Sequence, residues 1–117
     1  MRMSRHGRQI ALTEVGPAGQ ARIDVSHVDV GLHGLAAEVA VRYLSGAGVG
    51  HLRVTGERLA ELARAVDPTV HVEIDTGLVA GPPAGNPLGL RDPVARDLAR
   101  GAHHALRALR RAIGMTR

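Results

Sequence analysis

The stretch His27-Val28-Asp29-Val30-Gly31-Leu32-His33-Gly34-Leu35-Ala36 decides how this chain is read. His27 to Val30 reads as a short strand ended by Gly31. From Gly34 to about Leu44, residues Leu35, Val39, Ala40, Tyr43 and Leu44 recur with a helical period. A glycine-bearing turn from strand into helix is where backbone N–H groups and the helix dipole can cradle a phosphate. As a glycine fingerprint the turn is imperfect. His33 stands where a side chain hinders close backbone approach, although Ala36 suits the third position.

Toward the C-terminus, Gly46-Ala47-Gly48-Val49-Gly50 reads as a turn and His51 to Thr55 as a second strand. Gly56 opens a second helix, with Leu59, Leu62, Ala63 and Val66 on one face and Asp67-Pro68 as its stop. Val70 to Asp75 alternates with period two, which predicts a third strand with one buried and one wet face. Helices of about ten residues between strands imply right-handed parallel crossovers. The expected fold is therefore α/β: a Rossmann-like, three-stranded parallel half-sheet in β-α-β-α-β order. Residues 1–75 form this unit with an N-terminal arm, in which 8–23 reads as weakly helical and interrupted by Gly16-Pro17. Residues 76–90, rich in Gly and Pro, read as a linker. Residues 91–114 read as a C-terminal helix of the same domain, with Asp92 as N-cap and Pro93 in its first turn. On that helix Val94, Leu98, Ala105, Leu109 and Ala112 share one face, and Arg96, Arg100, His103, Arg107 and Arg111 the opposite one.

Composition excludes several chemistries. The 117 residues, 44 % hydrophobic and 22 % charged, fit one globular domain. There is no cysteine, hence no disulfide, thiolate zinc site or thioester. All fifteen basic residues are arginine, so no lysine can form a Schiff base or contact a nucleotide phosphate. Tyr43 is the sole aromatic residue, which rules out a stacking platform for unpaired bases. No apolar run resembles a membrane span or a secretory signal, so a cytoplasmic protein is expected. The net charge of +4 is uneven: residues 1–8 carry +3, residues 9–90 carry −4 and residues 91–117 carry +5. Basic ends on an acidic body suit phosphate contact, end-to-body association or simple solubility.

The residues around the central stretch resemble a known family. Ser4-Arg5-His6-Gly7-Arg8-Gln9-Ile10, followed by Glu14-Val15-Gly16 and Gly19-Gln20, is similar to the N-terminal arm of the ThiF-type, ubiquitin-activating-enzyme-like adenylyltransferases. Val30-Gly31-x-x-Gly34-Leu35 resembles their strand and glycine loop. Glu38-Val39-Ala40 through Gly48-Val49-Gly50-His51-Leu52 resembles the helix and strand that follow. The resemblance covers residues 4–54 and resumes weakly over 57–73. It implies a fold that binds ATP with magnesium and adenylates the C-terminal glycine of a ubiquitin-like carrier, usually as a homodimer. Carried over by position, Arg8 is the arm arginine that reaches the partner's site. Gly31, His33, Gly34 and Leu35 form the nucleotide loop.

The departures shape the functional expectation. After Leu52-Arg53-Val54 the family places an acid that holds the ribose, and this chain has Thr55-Gly56. The arginine-bearing segment beyond it, the lysine, the magnesium-binding aspartate and the zinc cysteines have no counterpart. Adenylation depends on cations around the polyphosphate. The expected function is thus a truncated, non-catalytic ThiF-like subunit, homodimeric or paired with a full-length paralogue to which it lends Arg8. No catalytic or metal-ligating residue is assigned, and ATP with magnesium is the only cofactor implied. The alternatives are a residual ATP-binding adenylyltransferase acting on a ubiquitin-like or sulfur carrier and, with least support, a basic-helix nucleic-acid module. No membrane partner is expected.

Single residues keep bland readings beside functional ones. Arg8 can be a solvated arginine, and His33 an exposed turn residue. Asp29, an acid inside a parallel strand, requires either an open sheet face or a partner such as an arginine or His27. His27, His51 and His71 fall one per strand and can serve a metal only if they converge. The adjacent His103 and His104 diverge by about 100° on a helix and cannot chelate together. Three bare parallel strands would leave an apolar face and two open edges, which favours association.

Overall fold

The computed structural model describes residues 16–79 and 89–114. The elements are α1 (Gly16–Asp24), β1 (His27–Asp29), α2 (Gly34–Ala47), β2 (His51–Val54), α3 (Glu57–Val66), β3 (His71–Ile74) and α4 (Pro93–Ala112). The strands form one parallel sheet in the order β1-β2-β3, the half-sheet that the alternation of short strands and helices predicts. Bonds from His51 N–H to the Ser26 carbonyl and from Val30 N–H to the Arg53 carbonyl join β1 to β2. Bonds from His71 N–H to the Gly50 carbonyl and from Asp75 N–H to the Val54 carbonyl join β2 to β3.

Each strand opens with histidine, an apolar residue and a charged residue: His27-Val28-Asp29, His51-Leu52-Arg53, His71-Val72-Glu73. Because side chains alternate across a strand, the in-register apolar residues Val28, Leu52 and Val72 share one face, and the polar residues share the other. The helices cover the apolar face. Small residues on α2 (Ala36, Ala37, Ala40) let it approach closely, and Leu44, Leu52, Val30 and Val54 fill the core. α2 is the middle helix, packed against α3 and most extensively against α4. The apolar face is therefore filled from within the chain, contrary to the bare face expected from three strands alone.

Several local expectations are corrected. Gly16-Pro17 stands in the first turn of α1, which proline's fixed φ suits; the rest of the interrupted helix expected over residues 8–23 lies outside the described residues. α2 runs through Gly46 to Ala47 and ends at Gly48, whose left-handed backbone (φ 90°) directs its N–H to the Leu44 and Ser45 carbonyls. Tyr43 is 57 % exposed and stands outside the buried face, which is built instead of Ala36, Ala37, Ala40, Val41 and Leu44.

α4 starts as predicted, with the Asp92 carboxylate accepting from Val94 N–H at 3.1 Å. Its buried residues are Gly101, Ala105 and Leu109, whereas Val94 is 54 % and Leu98 44 % exposed. Gly101 is the contact that periodicity alone overlooks. A β-carbon there would run into the Ala36 carbonyl oxygen and stand 2.8 Å from Val39 Cβ, so the helices meet backbone to backbone. Three contacts give the direction of α4: Gly101 on Ala36, His104 on Asp29 at the end of β1, and the Ile113 carbonyl on Arg22 near the end of α1. It runs alongside α2 in the same sense, and its first turns, bearing Val94 and Leu98, extend past the start of α2.

Gly101→Ala is expected to destabilise the fold by about 1–3 kcal/mol through overpacking against α2. A urea melt reads this directly; an unchanged midpoint would contradict the close helix contact.

Candidate functional site

The candidate site is the loop Gly31-Leu32-His33 and the start of α2. Gly31 and Leu32 are buried, which fixes the loop against the core, and His33 and Gly34 are exposed. Gly34 has φ +62°, a conformation that costs an L-residue roughly 1–2 kcal/mol. His33 is the extended N-cap residue of α2. Its carbonyl accepts from Ala37 N–H, while its side chain makes no capping bond. The first turn holds no acid, so its unpaired N–H groups and positive dipole end are available to an anion. Leu35 is half-buried. Gly31, His33, Gly34 and Leu35 thus come together in one turn. Arg8 lies outside the described residues.

The neighbouring strand ends are already engaged. Thr55, where the resemblance places a ribose-holding acid, turns its hydroxyl onto the Leu32 carbonyl at 3.4 Å. Arg53 grips Asp29 in a fork, with Nε donating to Oδ1 at 3.0 Å and Nη2 to Oδ2 at 2.8 Å. Its Nη1 stands 3.5 Å from Asp75 Oδ2. This answers the question raised by an acid in a parallel strand: the sheet face is open and an arginine pairs with it. The hydrogen bonds from Arg53 hold the Asp29 carboxyl below its ordinary range, against some desolvation, and the charges of Arg53 and His27 add to the effect. The same pair makes Arg53 hold its proton more tightly.

His27, His51 and His71 do converge, in register across the three strands. Their rings stack, with centroids 4.0 and 4.9 Å apart and planes within 10° and 13° of parallel. Stacked rings present π-faces to one another, so their lone pairs run side by side instead of converging on an ion. Among the described residues, no group of three or more histidines and acids is placed to hold a metal. His103 is exposed. His104 points inward and its Nε2–H donates to the Asp29 carbonyl at 3.1 Å. Ser26 and Val30 carry the bonds to β2, so the Asp29 carbonyl faces the outer edge of β1, and His104 caps it. Sequence reasoning allowed for an arginine beside Asp29 without naming Arg53, and it missed this cap. The signal for the first was available in the threefold His-apolar-charged pattern at the strand starts.

No family model matches the sequence. The chain is similar to the SAMP-activating enzyme E1 of Haloferax volcanii, 40 % identical over 76 residues, which is 64 % of this chain and 28 % of that protein. It is also similar to the adenylyltransferase and sulfurtransferase MOCS3 of Culex quinquefasciatus and of Aedes aegypti. Each is 36 % identical over 77 residues, 65 % of this chain and 17 % of the relative. The chain thus spans less than a third of the length of the curated relatives it matches.

The Asp29–Arg53 pair predicts an acid-sensitive term in stability. Folded Asp29 binds its proton less readily than unfolded Asp29. Its contribution is therefore complete above the ordinary carboxylate value of 3.8 and is lost as pH falls through the lower, folded-state value. Thermal melts across the acid range should fall more steeply for the unaltered chain than for Asp29→Asn; superimposable acid limbs would contradict it. These similarities to part of an E1-like activating enzyme and of MOCS3 adenylyltransferases agree with the ThiF-type resemblance that the residues carry.

Proposed function

We propose that this chain is a non-catalytic ThiF-like subunit that works in a dimer, either with itself or with a full-length ThiF-like paralogue whose ATP site receives Arg8. One observation carries the reading. The glycine turn at Gly31–Leu35 has an uncapped helix start, while the described polar groups beside it are committed to the chain's own structure. Thr55 is turned onto Leu32, and Arg53 is held between Asp29 and Asp75. Charge stabilisation of a polyphosphate would then come from another chain. The absence of lysine and cysteine from the sequence agrees, since neither a lysine contact nor a thioester can arise here. The partner's ultimate substrate, on this reading, is a ubiquitin-like carrier protein, and the setting is cytoplasmic. Among the described residues no helix is long and apolar enough to cross a membrane.

A second reading, residual ATP binding with weak adenylyltransfer, draws on the uncapped α2 N-terminus and the left-handed Gly34. ATP with magnesium would then rest on Gly31, Gly34 and Leu35, with His33 at the rim.

The subunit reading is tested by light scattering after size exclusion, on the chain alone and mixed with a full-length ThiF-type enzyme from the same source. A homodimer or a stable complex is expected. In the complex with the full-length enzyme Arg8→Ala should lower that enzyme's adenylation on the order of a hundredfold, the scale of losing one charge-stabilising donor. A monomer that joins no such enzyme, or an assembly indifferent to Arg8→Ala, would overturn it.

A further inference from the structure

The arginines of this chain divide into two sets. In the body, Arg22 donates to the Ile113 carbonyl at 2.9 Å and Arg53 forks onto Asp29. Arg58 pairs with Glu38 at 3.3 Å and Arg64 with Glu57 at 3.4 Å. Of the described body arginines only Arg42 has no such partner. On α4 the pattern reverses: Arg96, Arg100, Arg107, Arg110 and Arg111 are all exposed, and none meets an acid among the described residues. Folding engages four of the five described body arginines and leaves those of this helix without an acid partner among the described residues.

These five arginines, with exposed His103, occupy one sector of about 100° that runs for about 22 Å along the helix axis. Asp92 is spent as the N-cap, and Asp97 falls outside the sector. The opposite side of α4 is fixed against α2 through Gly101, Ala105 and Leu109, so the arginines are carried on a rigid support. The exposed apolar residues Val94 and Leu98 lie on that anchoring side of the helix, and Leu106 lies between the two. The cationic sector therefore contains no apolar anchor of the kind a protein partner needs. Unpaired bases would find a single ring in the sector, that of His103, since Tyr43, the only Phe, Tyr or Trp, lies on α2; one ring is no stacking platform. A continuous line of phosphates fits both constraints.

We propose that the outer face of α4 binds the phosphate backbone of duplex nucleic acid, independently of any nucleotide held at the Gly31–Leu35 turn. Arginine forks to phosphate oxygens carry the contact, and no base reading is required of them.

The test uses the full chain and a fluorescein-labelled DNA duplex of about two helical turns, followed by anisotropy between about 50 and 200 mM salt. Binding should weaken with a log–log salt slope of about −4.5, as expected when five arginines displace counterions. Arg100→Gln with Arg107→Gln should weaken binding about tenfold or more at the lower salt and shrink the slope by about two. Arg42→Gln with Arg64→Gln, equal in charge but off the helix, should change affinity less than twofold. Circular dichroism establishes that each variant is folded. Equal losses in the two double variants, or no binding at low salt, would overturn the proposal. So would labelled polyglutamate or a single strand bound as tightly as the duplex, the former result pointing to an acidic protein instead.

Discussion

The parallel sheet of this chain is buried on one face only, and the rest of the structure follows from that. Parallel sheets normally have helices on both sides, and their strands are apolar throughout. Here each strand begins with histidine, then an apolar residue, then a charged one, so the alternation divides the sheet into a dry face and a wet one. Every helix that packs on the sheet must take the dry side. α2 supplies small residues to come close, α3 flanks it, and α4 docks by the same means through Gly101. The crowding at Gly101 is thus a consequence of the one-sided sheet.

The wet face is ordered by polar contacts, with no hydrophobic cover among the described residues. Three imidazoles stack in register, and above them Arg53 bridges the flanking strands through Asp29 and Asp75. Exposed pairs of this kind add little to stability. Their value lies in register: a one-residue slip would carry His51 and Arg53 to the apolar side. The same contacts bear on function, because they occupy the cations and acids nearest the glycine turn. Among the described residues, Arg53, Asp29 and Asp75 beside the turn are thus engaged with one another.

Much of this was legible in the sequence. The strands at His27, His51 and His71, the helices between them and the Asp92-Pro93 start all follow from period, capping and turn chemistry. The Gly31–Leu35 turn could be placed from its glycines. What escaped reading was packing between elements. Periodicity groups Val94 and Leu98 with Leu109, but α2 begins too late to cover them. It counts Gly101 as neutral, although that glycine sets the helix spacing. The Arg53 fork was half visible, since the His-apolar-charged pattern sets Arg53 opposite Asp29 once the strands are in register, but the His104 cap rests on a contact 75 positions apart in the chain that local pattern does not encode. The imidazole stack was half visible: one histidine per strand could be seen, but not that the rings would meet face to face.

The most direct test of the account is a calorimetric titration of the pure chain with ATP and magnesium. With Thr55 where the resemblance places a ribose-holding acid, Arg53 paired with Asp29 and no lysine in the chain, the isolated chain is predicted to give no binding heat up to millimolar ATP. A micromolar dissociation constant would contradict that account, for it would mean that the Gly31–Leu35 turn forms a working nucleotide site unaided.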